Sequence, residues 1–297
     1  MVERLLYAVT VLIWGSTWLA IRFQLGVVAP DLSVVYRFAL AGALLVGYCL
    51  LTRRSLRFPP RAHGHIALQG LFLFCANYIL FYLAALHLPT GLLAVVFTII
   101  LPMNVVNGAL FLGAPVDRRV LIGGSIGLAG MSLLFWPEIS AFEASSGALL
   151  GLGLGVAATL SASLGNMVAA RNQRGGLPIV QTNALGMSYG ALLTLAFVVV
   201  RGAPFAFDDS IGYLASLIYL AVFGSVVAFG CYLTLLGRIG MDRASYAMVL
   251  FPVIALALST AFEGYRWTPF GVAGVALILA GNLIVLRRPR LATAASN

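Results

Sequence analysis

The sequence predicts an all-α integral membrane protein of ten transmembrane helices, built as two inverted five-helix repeats with the N and C termini cytoplasmic. Three observations carry this. The 297 residues are 61% hydrophobic and only 9% charged, with a mean hydropathy of +1.02, whereas a soluble domain holds about 25% charged residues. The basic residues gather in the gaps between apolar runs, densely in every second gap. Residues of the second half also match residues of the first at a nearly constant offset.

A bilayer core requires about 20 apolar residues per helix. Apolar runs bounded by Arg, Asp, Pro and Gly place the first five helices at about 5 to 23, 33 to 52, 66 to 86, 91 to 112 and 119 to 136. The second five fall at about 147 to 169, 179 to 200, 211 to 236, 244 to 263 and 269 to 286. The opening Met1-Val-Glu-Arg before a long apolar run reads as an uncleaved first span rather than a secretory signal. Ten spans with short connections leave no room for a separate soluble domain.

Charge placement sets the orientation. All 18 basic residues are Arg. With the N terminus inside, fourteen of them lie on the inner side: Arg4, Arg53, Arg54, Arg57, Arg61, Arg118, Arg119, Arg171, Arg174, Arg238, Arg243, Arg287, Arg288 and Arg290. Four, Arg22, Arg37, Arg201 and Arg266, lie on the outer side with Glu138, Glu143, Asp208 and Asp209. This is a positive-inside pattern, and an odd number of spans would scramble it. The net charge of +9 is therefore a topology signal, and nucleic acid is not a partner. Cys49, Cys75 and Cys231 lie in apolar stretches and suggest neither a disulfide framework nor a metal site.

At an offset of 150, Tyr82 meets Tyr232, Ala94 meets Ala244 and Pro102 meets Pro252. At 148, Pro30 meets Pro178 and Gly42-Ala-Leu meets Gly190-Ala-Leu; at 151, Gly123 meets Gly274 and Gly130 meets Gly281. The chain thus divides into a first five-helix repeat at 1–140 and a second at 141–297. Five is odd, so the second repeat enters the membrane from the opposite side, an arrangement that transporters use to alternate access to a midplane site.

The first span with Trp14-Gly-Ser-Thr-Trp18, Arg37 early in span two, the Pro102 and Pro252 helices, and Glu263 followed by Gly271, Gly274 and Gly281 resemble the EamA branch of the drug/metabolite transporter superfamily. The resemblance covers nearly the whole chain. It implies ten helices in two inverted units, a central cavity and export of small metabolites, and within the branch it is most similar to the YddG-type exporters of aromatic amino acids. One departure is that the position matching Glu263 in the first half is Gly113.

Polar residues in mid-span are costly against lipid and therefore map the path. Trp14 and Trp18 share a face of span one and either line the cavity or pack between helices. Span three offers Asn77, Tyr78 and Tyr82, and span eight offers Tyr232. Spans four and nine place Thr98, Asn104, Asn107, Ser245, Tyr246 and Met248 around Pro102 and Pro252, whose missing amide donors kink a helix and free a carbonyl, for the cavity or for packing alone. Ser161, Ser163 and Asn166 in span six either face the path or bond between helices. Of these, Trp14, Trp18, Asn77, Tyr78, Tyr82, Thr98, Ser163, Asn166, Tyr232, Tyr246 and Met248 are the candidate substrate-binding residues.

No Asp or Glu falls inside a span, and Glu263 closes one at its outer end. Ion-driven carriers usually hold a titratable group in the path, so the expectation is facilitated diffusion. The same absence disfavours cationic substrates, and the lack of central Arg or Lys disfavours phosphorylated ones. A neutral or zwitterionic solute with an apolar part, such as an amino acid, fits best; sugars and nucleosides are the alternatives. Arg22 and Arg37 at the outer mouth serve as carboxylate attractors or, by preference, as outer-leaflet anchors.

Gly151-Leu-Gly-Leu-Gly155 is spaced like a phosphate loop but has no strand before it, and the small-residue steps at Gly147, Gly151 and Gly155 read as close helix packing. His63-Gly-His65 reads as solvated residues rather than a metal site. An enzyme would need a nucleophile with its base or a metal cluster, and a channel would need charged rings or filter loops; neither pattern is present. The expected protein is an inner-membrane exporter, monomeric, with no cofactor or metal, whose partners are a small-molecule substrate and the lipid bilayer.

Overall fold

The computed structural model describes residues 2–24, 26–88, 90–143, 145–262 and 266–286. Ten long helices account for most of them. The first five are α1 (Val2–Arg22), α2 (Pro30–Leu51), α3 (Pro60–Ala85), α4 (Leu92–Leu112) and α5 (Arg118–Leu134). The next five are α6 (Ser146–Arg174), α7 (Ile179–Val200), α8 (Ile211–Ile239), α9 (Met241–Phe262) and α10 (Pro269–Leu286). Among the described residues nine of these are long and apolar enough to cross a membrane; α5, at 17 residues, is the shortest. No strand occurs among the described residues.

Local sequence explains the helix ends. Pro30, Pro60 and Pro269 stand in first turns, where a missing amide costs nothing. Asp117, Ser145 and Ser210 cap α5, α6 and α8 by accepting the amides of Arg119, Ala148 and Tyr213. Gly113 ends α4 in a left-handed turn at φ 61°, which glycine adopts without strain.

Four interruptions matter. The α4 helix breaks at Ile99, between Thr90–Thr98 and Ile100–Leu112. The ring of Pro102 clashes with the carbonyl four residues earlier, that of Thr98, so the break falls where the proline dictates. In α9 the break lies at Ser245, whose hydroxyl donates back to the Met241 carbonyl, and the helix runs unbroken through Pro252. The other two are wide π-type turns, Gly70–Ala76 in α3 and Val222–Val227 in α8.

Helices pack in pairs of matching kind. The α2 helix lies along α7 and α5 along α10, while α1 packs on α8 and α9 and α6 packs on α3 and α4. On the α5–α10 seam, a Cβ on Gly123 would stand 2.6 Å from the Gly281 carbonyl, and one on Gly130 would stand 2.7 Å from that of Gly274. The two helices are therefore antiparallel with backbones in contact, the packing that small residues permit in lipid. Ridges of large apolar side chains, including Leu5, Leu51, Leu110, Val200, Ile211 and Leu283, remain exposed around the bundle, as contact with acyl chains requires.

Candidate functional site

A vestibule of about 930 Å³ opens among the ends of α4, α6, α8 and α9. Asp117, Arg174, Arg238, Asp242 and Arg243 form its rim. Arg243 bonds Asp117 at 2.5 Å, tying the α4–α5 connection to the start of α9. This guanidinium holds the Asp117 carboxyl below the usual carboxylate range. Arg174 donates to the Leu112 carbonyl and so fastens α6 to the end of α4.

Asn104 stands deepest in the α4 wall, eight residues before Leu112, or about 12 Å of helix rise. It is fully buried, and neither its oxygen nor its nitrogen has a partner. One turn further along, the Asn107 amide donates to Ser163 of α6 at 2.8 Å. Also on α6, Asn166 is 1% exposed with both amide atoms unpartnered. Its side chain is the polar neighbour of the buried Tyr232 hydroxyl, close enough to interact with it but outside good hydrogen-bond geometry. In α3, the Asn77 oxygen is likewise unpartnered.

An aromatic group adjoins Asn166 through Tyr232. The Trp14 ring meets Tyr232 at 5.1 Å and Phe229 at 5.2 Å, and its indole N–H donates to the Gly224 carbonyl in the wide turn of α8. Tyr78, Tyr82 and Met248 pack against the same core. Each unpaired buried polar group costs about 1–3 kcal/mol. Of the four side chains that carry such groups, Tyr232 belongs to this aromatic cluster and Asn166 adjoins its hydroxyl, while Asn104 lines the vestibule wall.

The structure therefore brings together Trp14, Asn166 and Tyr232, with Tyr78, Tyr82 and Met248 in the same core; Ser163 is engaged by Asn107. Two other candidates are engaged elsewhere. Thr98 donates to the Val95 carbonyl of its own helix. Tyr246 lies in a separate cluster, its hydroxyl between the Gly123 and Ile278 carbonyls, where it fastens α9 to α5 and α10. The Trp18 side chain, Glu263, Arg287, Arg288 and Arg290 lie outside the described residues.

Arg37 departs from its expected role as an outer-leaflet anchor. It is 8% exposed, inside the bundle, because the wide turn of α8 presents acceptors that α2 can reach. Its Nε donates to Ser225 Oγ at 2.8 Å and its Nη2 to the Gly224 carbonyl at 3.2 Å. Asp31 is also a correction: it belongs to the first turn of α2, buried, and pairs with Arg201 at 2.7 Å. His63 is half-buried rather than simply solvated, since its Nδ1 meets the Tyr189 hydroxyl at 2.8 Å. Among the described residues no cluster of His, Cys, Asp or Glu could hold a metal.

The model of the EamA-like transporter family matches the chain twice, over residues 3–136 and 149–287. The chain belongs to the EamA-like transporter family. Similar proteins include Protein PagO of Salmonella typhimurium, 22% identical over 95% of this chain and 92% of that one. The inner membrane transporter YedA of Escherichia coli (strain K12) is 28% identical over the same shares. A probable amino-acid metabolite efflux pump of Salmonella typhimurium is 25% identical over 92% of this chain and 91% of its own. A solved crystal structure superposes with a TM-score of 0.80 at 19% identity, covering 96% of each chain, and so shares the fold.

This EamA-like protein is thus a multi-pass inner-membrane transporter of small metabolites rather than an enzyme. Sequence reading missed the buried network of Gln69, Asn172 and Asn183, in which Asn172 donates to the Gln69 oxygen and Gln69 to that of Asn183. Their mid-helix amides were the available signal. The network joins α3, α6 and α7 through these two bonds, unlike the unpaired amides.

Proposed function

We propose that the protein exports small neutral or zwitterionic metabolites, above all amino acids with aromatic or apolar side chains, in the manner of the YddG-type exporters. The observation that carries this is the set of buried amides and a hydroxyl with unmet bonding capacity, Asn77, Asn104, Asn166 and Tyr232, of which Tyr232 packs on Trp14 and Asn104 lines the vestibule. Such groups offer donors and acceptors to a polar head, and the rings offer faces to an apolar side chain. Among the described residues that line the vestibule, the carboxylates are Asp117, just before α5, and Asp242, in the first turn of α9. A gradient of the substrate itself then suffices as the driving force. The naming of a relative as a probable amino-acid metabolite efflux pump supports the same substrate class.

The ten helices form two inverted halves, 1–140 and 141–297, with the termini cytoplasmic, α5 counted as a span and the monomer as the working unit. Support comes from the antiparallel α2–α7 and α5–α10 pairs and from the wide turns at corresponding places in α3 and α8. The vestibule then opens to the cytoplasm, and this is the inward-open state. Rocking the halves about the two seams exposes the same residues to the other side.

Counterflow in liposomes without an ion gradient tests the reading. Labelled phenylalanine or tryptophan exchanges saturably against unlabelled amino acids, and Trp14→Ala abolishes the exchange. Exchange of sugars or nucleosides in place of amino acids overturns the substrate class, and uphill movement driven by a proton gradient overturns facilitated diffusion.

A further inference from the structure

Arg37 is a cation buried in an apolar bundle, and its hydrogen-bond partners, Ser225 and Gly224, are neutral. A guanidinium carries five N–H donors; two are engaged, by Ser225 and Gly224. Its carbon stands 5.4 Å from the Phe38 ring centre and 5.7 Å from that of Tyr78. Asp31, six residues earlier on the same helix, is committed to Arg201. Among the described residues no carboxylate pairs with Arg37.

Burying a charge without a counter-charge is expensive, and such residues in membrane helices mark function. Bracing the α8 turn does not explain the expense, since a neutral amide would also serve two acceptors. What only arginine supplies is a planar fork matched to two oxygens. Beside the fork lies a cavity of about 20 Å³, lined by Arg37, Tyr82, Ser33 and Gln24 among others, room for about one water. The Gly224 carbonyl accepts from both Arg37 and Trp14, so the guanidinium and the aromatic group converge on one atom. A Cβ at Gly224 would approach Arg37 Nη2 to 3.2 Å, so the glycine keeps this meeting point clear.

We propose that Arg37 is the carboxylate receptor of the transport path. A substrate seated against Trp14 and Tyr78 places its carboxylate on the unengaged N–H edge of Arg37. The protein therefore takes carboxylate-bearing solutes and rejects the matching amides and amines. This rests on the transporter reading above and narrows its substrate class.

The test uses intact protein in liposomes, exchanging labelled phenylalanine against phenylpropionate, phenylalaninamide and phenethylamine. With wild type, phenylpropionate competes, while the amide and the amine are at least about tenfold weaker. Arg37→Lys keeps the charge but loses the fork, raising the half-saturating concentration by about tenfold. Arg37→Gln, checked for folding by its elution profile, loses the preference for acid over amide. Equal competition by amide and acid on wild type overturns the proposal without needing any variant. If wild type exchanges no amino acid, the proposed substrate reading fails instead. Thermal stabilisation of the detergent-purified protein by phenylpropionate against phenylpropionamide then decides Arg37 separately: an acid preference upholds the receptor and equal shifts sink it.

Discussion

Asn166 and Tyr232 pose the sharpest question at the scale of the residue. Folding gains nothing from two polar groups that stay unbonded in the core, and replacing unsatisfied groups by apolar ones of similar shape is neutral or stabilising. Asn166→Leu and Tyr232→Phe are therefore expected to leave thermal stability in detergent unchanged or raised. Exchange should fall by about tenfold or more, the scale of one lost polar contact of about 1.4 kcal/mol. A stability loss with intact exchange would return both residues to packing. Asp117 makes a different prediction. Its carboxyl titrates below its ordinary range because Arg243 bonds the charged form. Stability from this pair is present above the unfolded-state value and is lost as pH falls through the lower folded one. Melting curves of wild type and Arg243→Gln should differ at neutral pH and converge in acid. A half-exposed pair of this kind contributes only about 0–1 kcal/mol, so the difference will be small.

Elements in this protein are held by what they lack. Glycine on α5 and α10 lets the two backbones touch, and Gly130 meets both the Gly274 carbonyl and Ile278 within 3 Å of where a Cβ would sit. Gly130→Val forces the seam apart and should cost about 1–3 kcal/mol, as overpacking does. Gly153 on α6 has nothing within 4 Å, so Gly153→Ala is the matched control and should lose no stability. Thermal unfolding of the two variants checks this. In α4 the break at Ile99 follows from Pro102. Pro102→Ala restores the missing amide, and the variant should fold while exchanging more slowly, because a continuous helix resists the bending that alternation asks of it. Pro252 sits in an unbroken stretch of α9, so the same exchange of residue there should have the weaker effect on rate.

For the whole molecule, the large vestibule and the small cavity beside Arg37 predict different access. In a background without Cys49, Cys75 and Cys231, a cysteine at Ala114 on the vestibule wall should react with an impermeant thiol reagent only from the cytoplasmic side. One at Ser33, beside the small cavity near Arg37, should be protected from both sides until substrate turns the protein over. Labelling of right-side-out and inverted vesicles reads the result, and Ser33 reacting freely from outside would mean that this end is open at rest.

Apolar periodicity alone placed the nine helices that are long and apolar enough among the described residues to cross a membrane, and most of their ends to within a few residues, because lipid demands long, internally bonded, apolar segments and tolerates few others. It also raised Trp14, Asn166 and Tyr232 as candidates, which the structure places next to one another. What the sequence left undecided was which of two helix faces meets which neighbour. Tyr246 and Tyr232 look alike as tyrosines in spans, yet one is fastened to two backbone carbonyls and the other has only the Asn166 side chain as a polar neighbour. Arg37 read as a surface anchor because the acceptors that bury it, Gly224 and Ser225, lie nearly two hundred residues away in a turn whose widening leaves no mark in hydropathy. Hydropathy records how each segment meets lipid; only tertiary packing fixes how polar groups meet one another.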